Sequence, residues 1–128
     1  HKFDTFVLSY WCNHGTADDD TIALLEHMQG KRIIIIGTLG AARESAHAQK
    51  VCENVENLVR QQNTLIGHYL CRGSIDLART ARRTRIPEGE KGHLSPERFE
   101  KQKESQGHPN AAELAQCQTE VKEFLKAL

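Results

Sequence analysis

Apolar positions along the chain follow two different periods. Phe3-Asp4-Thr5-Phe6-Val7-Leu8-Ser9 is rich in aromatic and β-branched residues and predicts a strand. Lys31-Arg32-Ile33-Ile34-Ile35-Ile36-Gly37 shows no alternation, which predicts a central parallel strand covered on both faces. Thr64–Cys71 predicts a third strand. Between the strands, apolar residues recur at helical spacing. Ile22, Leu25 and Met28 mark a helix capped by Thr16 or Asp18 and ended by Gly30. Ala48, Val51, Val55, Leu58 and Val59 mark a long helix from about Ala42 to about Gln62.

The remainder reads as helical. Ser74 is expected to cap a helix running to Arg83, and 85–93 to form a loop around Pro87, Gly89 and Gly92. Ser95-Pro96 predicts a helix start, Gly107-His108-Pro109 its end, and Asn110 the cap of a last helix. That helix carries Leu114, Cys117, Val121, Phe124, Leu125 and Leu128 as its stripe. Strands alternating with helices imply right-handed crossovers. The expected fold is therefore α/β, a doubly wound parallel sheet between helical layers. The length of 128 residues suits one domain over the whole chain. The chain opens at His1 and enters a strand almost at once, so a further N-terminal piece is expected ahead of it.

Charge narrows the function. Lys+Arg and Asp+Glu both total 17, which argues against nucleic acid or an anionic membrane as partner. No apolar run approaches the roughly 20 residues of a membrane span, and no signal peptide opens the chain. Cys12, Cys52, Cys71 and Cys117 form no CxxC pair, so free thiols in a reducing cytoplasm are expected. The histidines do not recur at metal-ligand spacing, and no metal site is expected. Arg72, Arg79, Arg82, Arg83 and Arg85 form a basic cluster without interleaved aromatics. It reads as a solvated face, or as a docking surface for an acidic redox partner protein.

In an open parallel sheet, ligands bind beyond the carboxyl ends of the strands. Three loops are expected there: Ser9–Thr16, Gly37–Ala41 and Arg72–Ser74. The first gathers Tyr10 and Trp11, where a flat aromatic ligand could be covered by the rings; alternatively Trp11 folds back onto the core. In the second, Gly37 and Gly40 would let the backbone approach a ligand closely. Neither GxGxxG nor a Walker motif is present.

Phe6–Thr16, Gly37-Thr38-Leu39-Gly40-Ala41, Leu70-Cys71-Arg72-Gly73, Pro96-Glu97-Arg98 and His108-Pro109, in that order, resemble the flavodoxin-like family of small bacterial FMN-domain proteins. The resemblance implies a five-stranded sheet of order 2-1-3-4-5, of which the strands here would be the third, fourth and fifth. It implies FMN as cofactor. Ser9, Tyr10, Trp11, Cys12, Asn13, His14 and Gly15 would lie on one side of the flavin, and Thr38, Leu39, Gly40 and Ala41 on the other, with Cys71, Arg72 and Gly73 nearby. A peptide at His14-Gly15 would be able to turn its carbonyl towards the flavin N5. The implied function is electron transfer with a partner reductase. The alternatives are a flavin-dependent reductase acting on a small substrate, or a cofactor-free interaction module. Two departures stand out. The Ser/Thr- and Gly-rich phosphate loop of flavodoxins has no counterpart here, nor do the first strand, first helix and second strand. That leaves a sheet edge open to pairing between two copies. The chain is also neutral where flavodoxins tend to be acidic.

Overall fold

A computed structural model describes residues 4–128, so the predicted strand residue Phe3 lies outside the described residues. Strand β1 (Thr5–Asn13) turns back into the two-residue strand β2 (Thr16–Ala17). Helix α1 (Asp19–Glu26), β3 (Arg32–Leu39), α2 (Ala46–Arg60) and β4 (Thr64–Arg72) follow. The sheet order is β2-β1-β3-β4. β1, β3 and β4 are parallel, and β2 adds an antiparallel edge. The expected α/β doubly wound architecture is thus present, with one hairpin beyond the three predicted strands.

Burial follows the predicted pattern. Ile33, Ile34 and Ile35 are fully buried because helices cover both sheet faces. On one face, Ile33, Ile35 and Leu39 pack with Leu25 of α1 and Val51, Val55 and Val59 of α2. The other face is covered by α5 (Ala111–Lys126). A Cβ at Gly67 would lie 2.4 Å from Cγ of Phe124, so the glycine lets this helix sit close. The α5 stripe is only partly used: Leu114, Leu125 and Leu128 remain exposed. Ion pairs such as Lys50–Glu53 and Lys126–Glu123 are exposed and contribute about 0–1 kcal/mol each, so the apolar core dominates stability.

Helix ends follow their caps. Asp18, Ser45, Ser95 and Asn110 each accept a backbone N–H with the side chain, and Asn110 forms a reciprocal capping box with Glu113. Because Ser45 is the cap, α2 starts at Ala46 rather than near Ala42. Ser74 does not cap the next helix. Its hydroxyl donates to the His108 carbonyl at 2.8 Å, and Asp76 caps a shorter α3 (Leu77–Ala81) that tightens into a 3-10 turn over Arg82–Arg85. Helix α4 (Pro96–Gln102) starts at the predicted Ser-Pro pair.

Candidate functional site

The loop expected over Tyr10–Thr16 is mostly strand. β1 pairs with β3 as far as Trp11↔Thr38, then with β2 through Cys12↔Ala17 and Asn13↔Thr16. Only His14 and Gly15 turn the chain, at φ 51° and 81°, as a two-residue type I′ hairpin requires. Asn54 of α2 donates to the Gly15 carbonyl at 2.8 Å, so that carbonyl is already held.

Asp18 fixes the strand end to α1. Its buried carboxylate accepts from the Trp11 N–H at 3.1 Å, the Thr21 N–H at 3.1 Å and the Thr21 hydroxyl at 2.8 Å. Burial would push its pKa up, but these hydrogen bonds prevail and hold it below the ordinary carboxylate value.

Register sorts the predicted site residues onto two faces. Trp11, Thr38 and Cys71 are aligned neighbours across β1, β3 and β4, as are Ser9, Ile36 and Tyr69. Both rows face α5. Trp11 is 55% exposed and so is not folded into the core. Tyr10, Gly37 and Leu70 form the intervening row on the opposite face. Tyr10 and Trp11 therefore do not form a pair of rings around one ligand. Cys12 and Ala41 pack against the core on Tyr10's side, and Leu39 is buried there. Burial pushes the Cys12 thiol up, which makes it a poorer nucleophile.

Tyr10 instead joins a polar group beneath the sheet edge. Its hydroxyl lies 2.6 Å from His68 Nε2, and His68 Nδ1 lies 3.0 Å from Glu56 Oε2. The carboxylate can only accept, which assigns the ring proton to Nδ1 and makes Tyr10 the donor to Nε2. Burial lowers the His68 pKa against the opposing pull of Glu56, so the ring is neutral at pH 7.

The two glycines of the second loop serve packing rather than an open approach. Gly37 makes room for the Tyr10 ring, and a Cβ at Gly40 would lie 2.5 Å from Ile75 Cδ1. The ends of β3 and β4 are tied together. Gly73 N–H donates to the Leu39 carbonyl at 2.7 Å, and Arg72 Nε donates to the Gly40 carbonyl at 3.1 Å.

The flavodoxin domain family matches residues 1–125. The chain belongs to the flavodoxin domain family. It is 25% identical over 128 residues to the flavodoxin-like domain-containing protein BilS of Clostridioides difficile (strain CD3), covering 97% of this chain and 71% of that protein.

In this flavodoxin domain, a cavity of about 370 Å³ opens on the face that carries Trp11. Arg43, Tyr69, Arg72, His108 and Glu113 line it. Arg43 lies over the Tyr69 ring at 4.8 Å from its centroid, and the Tyr69 hydroxyl donates to the Glu113 carbonyl at 2.9 Å. Of these residues only Arg72 was expected at the site. The others come from the β3–α2 loop, β4, the turn ahead of α5 and the first turn of α5, and no local spacing signals their convergence. No helix among the described residues is long and apolar enough to cross a membrane.

Proposed function

We propose that this domain binds FMN through the ring end of the cofactor and serves electron transfer with a partner reductase. The observation that carries the reading is Trp11. A large indole stands 55% exposed at the C-terminal end of a parallel strand, on a backbone anchored by Asp18. That is where open α/β sheets bind ligands.

The residues present fit the ring end of a flavin. Trp11 would stack against its face, with Ser9 and Thr38 on the same sheet face and the His14–Gly15 turn beside it. Within Thr38–Ala41 only Thr38 shares Trp11's face; Leu39 and Ala41 pack on the opposite side, and Gly40 packs against Ile75. The phosphate end has no corresponding Ser/Thr-rich loop in this sequence, and no residue is assigned to it. FMN, when bound, supplies the redox chemistry. The protein's share is to hold the ring, limit water around it and set its potential. Stacking on the Trp11 indole disfavours an electron-rich ring. The Asn54 bond on the Gly15 carbonyl restrains the turn, so any reorientation of this turn must break or keep that bond.

Arg79, Arg82, Arg83 and Arg85 are exposed on α3 and the following turn, and suit an acidic redox partner. The four cysteines are unpaired by disulfides, which suits a reducing cytoplasm. A second reading, a flavin-dependent reductase acting on a small substrate, draws support from the cavity beside Arg43 and Arg72. Turnover with a reduced pyridine nucleotide and no protein partner would favour it.

The direct test is the visible spectrum of the purified full chain, with and without added FMN, followed through gel filtration. Flavin absorbance travelling with the protein supports the reading. A protein that stays colourless with FMN present points to a cofactor-free interaction module.

A further inference from the structure

Beneath the sheet edge, on the face opposite Trp11, three donors of different type converge. Cys52 and Glu56 stand one helical turn apart on α2, and His68 faces them from β4. Their ligand atoms all lie within 4.8 Å of one another. All three residues are half-buried, and His68 is held on both sides.

We propose that Cys52, Glu56 and His68 bind a zinc ion. Sulfur and imidazole donors with a single carboxylate match a borderline-soft cation, not magnesium or calcium, which take oxygen shells. In a tetrahedral zinc shell, sulfur and nitrogen ligands lie roughly 3.6 Å apart, and nitrogen and oxygen roughly 3.4 Å apart. The His68 Nδ1 to Glu56 Oε2 separation of 3.0 Å has only to open slightly. The thiol of Cys52 has to move in by at most about 1.2 Å, within the reach of χ1 adjustment.

The second shell is already in place. A zinc-bound imidazole usually donates its other N–H to a fixed acceptor. On binding, Nδ1 becomes the ligand, its proton is exchanged for one on Nε2, and Nε2–H donates to the Tyr10 oxygen that now lies 2.6 Å away. The Cys52 thiol releases one proton as it binds, so the site gains a thiolate and a carboxylate against the divalent charge. Glu56 also has the Arg60 guanidinium 3.6 Å from Oε1, an exposed contact that leaves Oε2 for the metal. Three protein ligands leave the fourth position to water.

The test uses the full chain, reduced, dialysed against zinc and then against buffer. Bound metal is counted by atomic emission, and its ligands are read by X-ray absorption at the zinc edge. One zinc per chain is expected, with one sulfur neighbour at about 2.3 Å. Cys52→Ala removes that sulfur shell, and Tyr10→Phe keeps it while lowering affinity about 10–100-fold. Glu56→Gln, a near-isosteric change on the half-buried side of α2, lowers affinity at least tenfold and guards against loss of fold in the cysteine variant. No retained zinc, a sulfur shell that survives Cys52→Ala, or unchanged affinity in Glu56→Gln overturns the proposal.

Discussion

Gly37 and Tyr10 share one space: a Cβ at residue 37 would lie 2.1 Å from Cζ of the Tyr10 ring. The two residues are register partners on adjacent strands, and the ring fills the gap that the missing side chain leaves. The Tyr10 hydroxyl is then in place for His68.

Gly37→Ala is expected to destabilise the fold by about 1–3 kcal/mol, because the ring can move only by disturbing a packed core. The urea midpoint falls while the slope holds. Tyr10→Leu costs stability in the parent but less in the Gly37→Ala background, since the smaller side chain relieves the clash. Strict additivity of the two changes would show that the residues do not compete for this space.

The folded His68 pKa lies below its ordinary value, chiefly through burial. Above about pH 6.5 the ring is neutral in both folded and unfolded chains, and its contribution is complete. Below that, the unfolded chain binds the extra proton first, so stability falls with pH until the folded value is passed. Tyr10, Glu56 and Cys52 are the titratable groups around the ring. Denaturation midpoints measured from pH 8 to pH 5 should show this decline, and the difference from His68→Gln isolates it. Parallel curves for the two proteins would contradict the assignment.

Asp18 acts in a lower window. Burial opposes its charge, but hydrogen bonds from Thr21 and Trp11 more than offset this and depress the folded pKa. Its contribution is full above the unfolded value of about 3.9 and is lost as pH falls through the folded value. Asp18→Ala should cost about 0.5–2 kcal/mol at pH 7, as for a helix cap, and should also loosen the Trp11 amide in hydrogen exchange. An unprotected Trp11 amide in the parent would contradict the anchoring role.

The sequence is legible where a local signal carries the structure. The isoleucine run, the Ser95-Pro96 start and the Asn110 cap all appear where their chemistry predicts. Long-range pairing is less legible. The His14-Gly15 turn lacks the stronger Asn-Gly signature, so Tyr10–Thr16 reads as a loop until β1 pairs with β2. Ser74 reads as a cap, but its hydroxyl is taken by the His108 carbonyl, 34 residues away. Trp11 and Thr38 are readable as neighbours of a sheet edge. The division of Tyr10 from Trp11 is fixed only by where β1 stops, because alternate strand residues face opposite sides. The Cys52, Glu56 and His68 cluster needs the packing of α2 on β4 and has no spacing motif.

The proposed FMN site turns on contact between Trp11 and the flavin ring. Trp11 is the only tryptophan in the chain, so its emission reports on one place. Titration of the full chain with FMN, corrected for absorbance by the flavin, should quench that emission saturably. Trp11→Phe should keep the fold while weakening FMN binding or shifting its potential. Saturable FMN binding with Trp11 emission unchanged, and with Trp11→Phe indistinguishable from the parent, would contradict the claim.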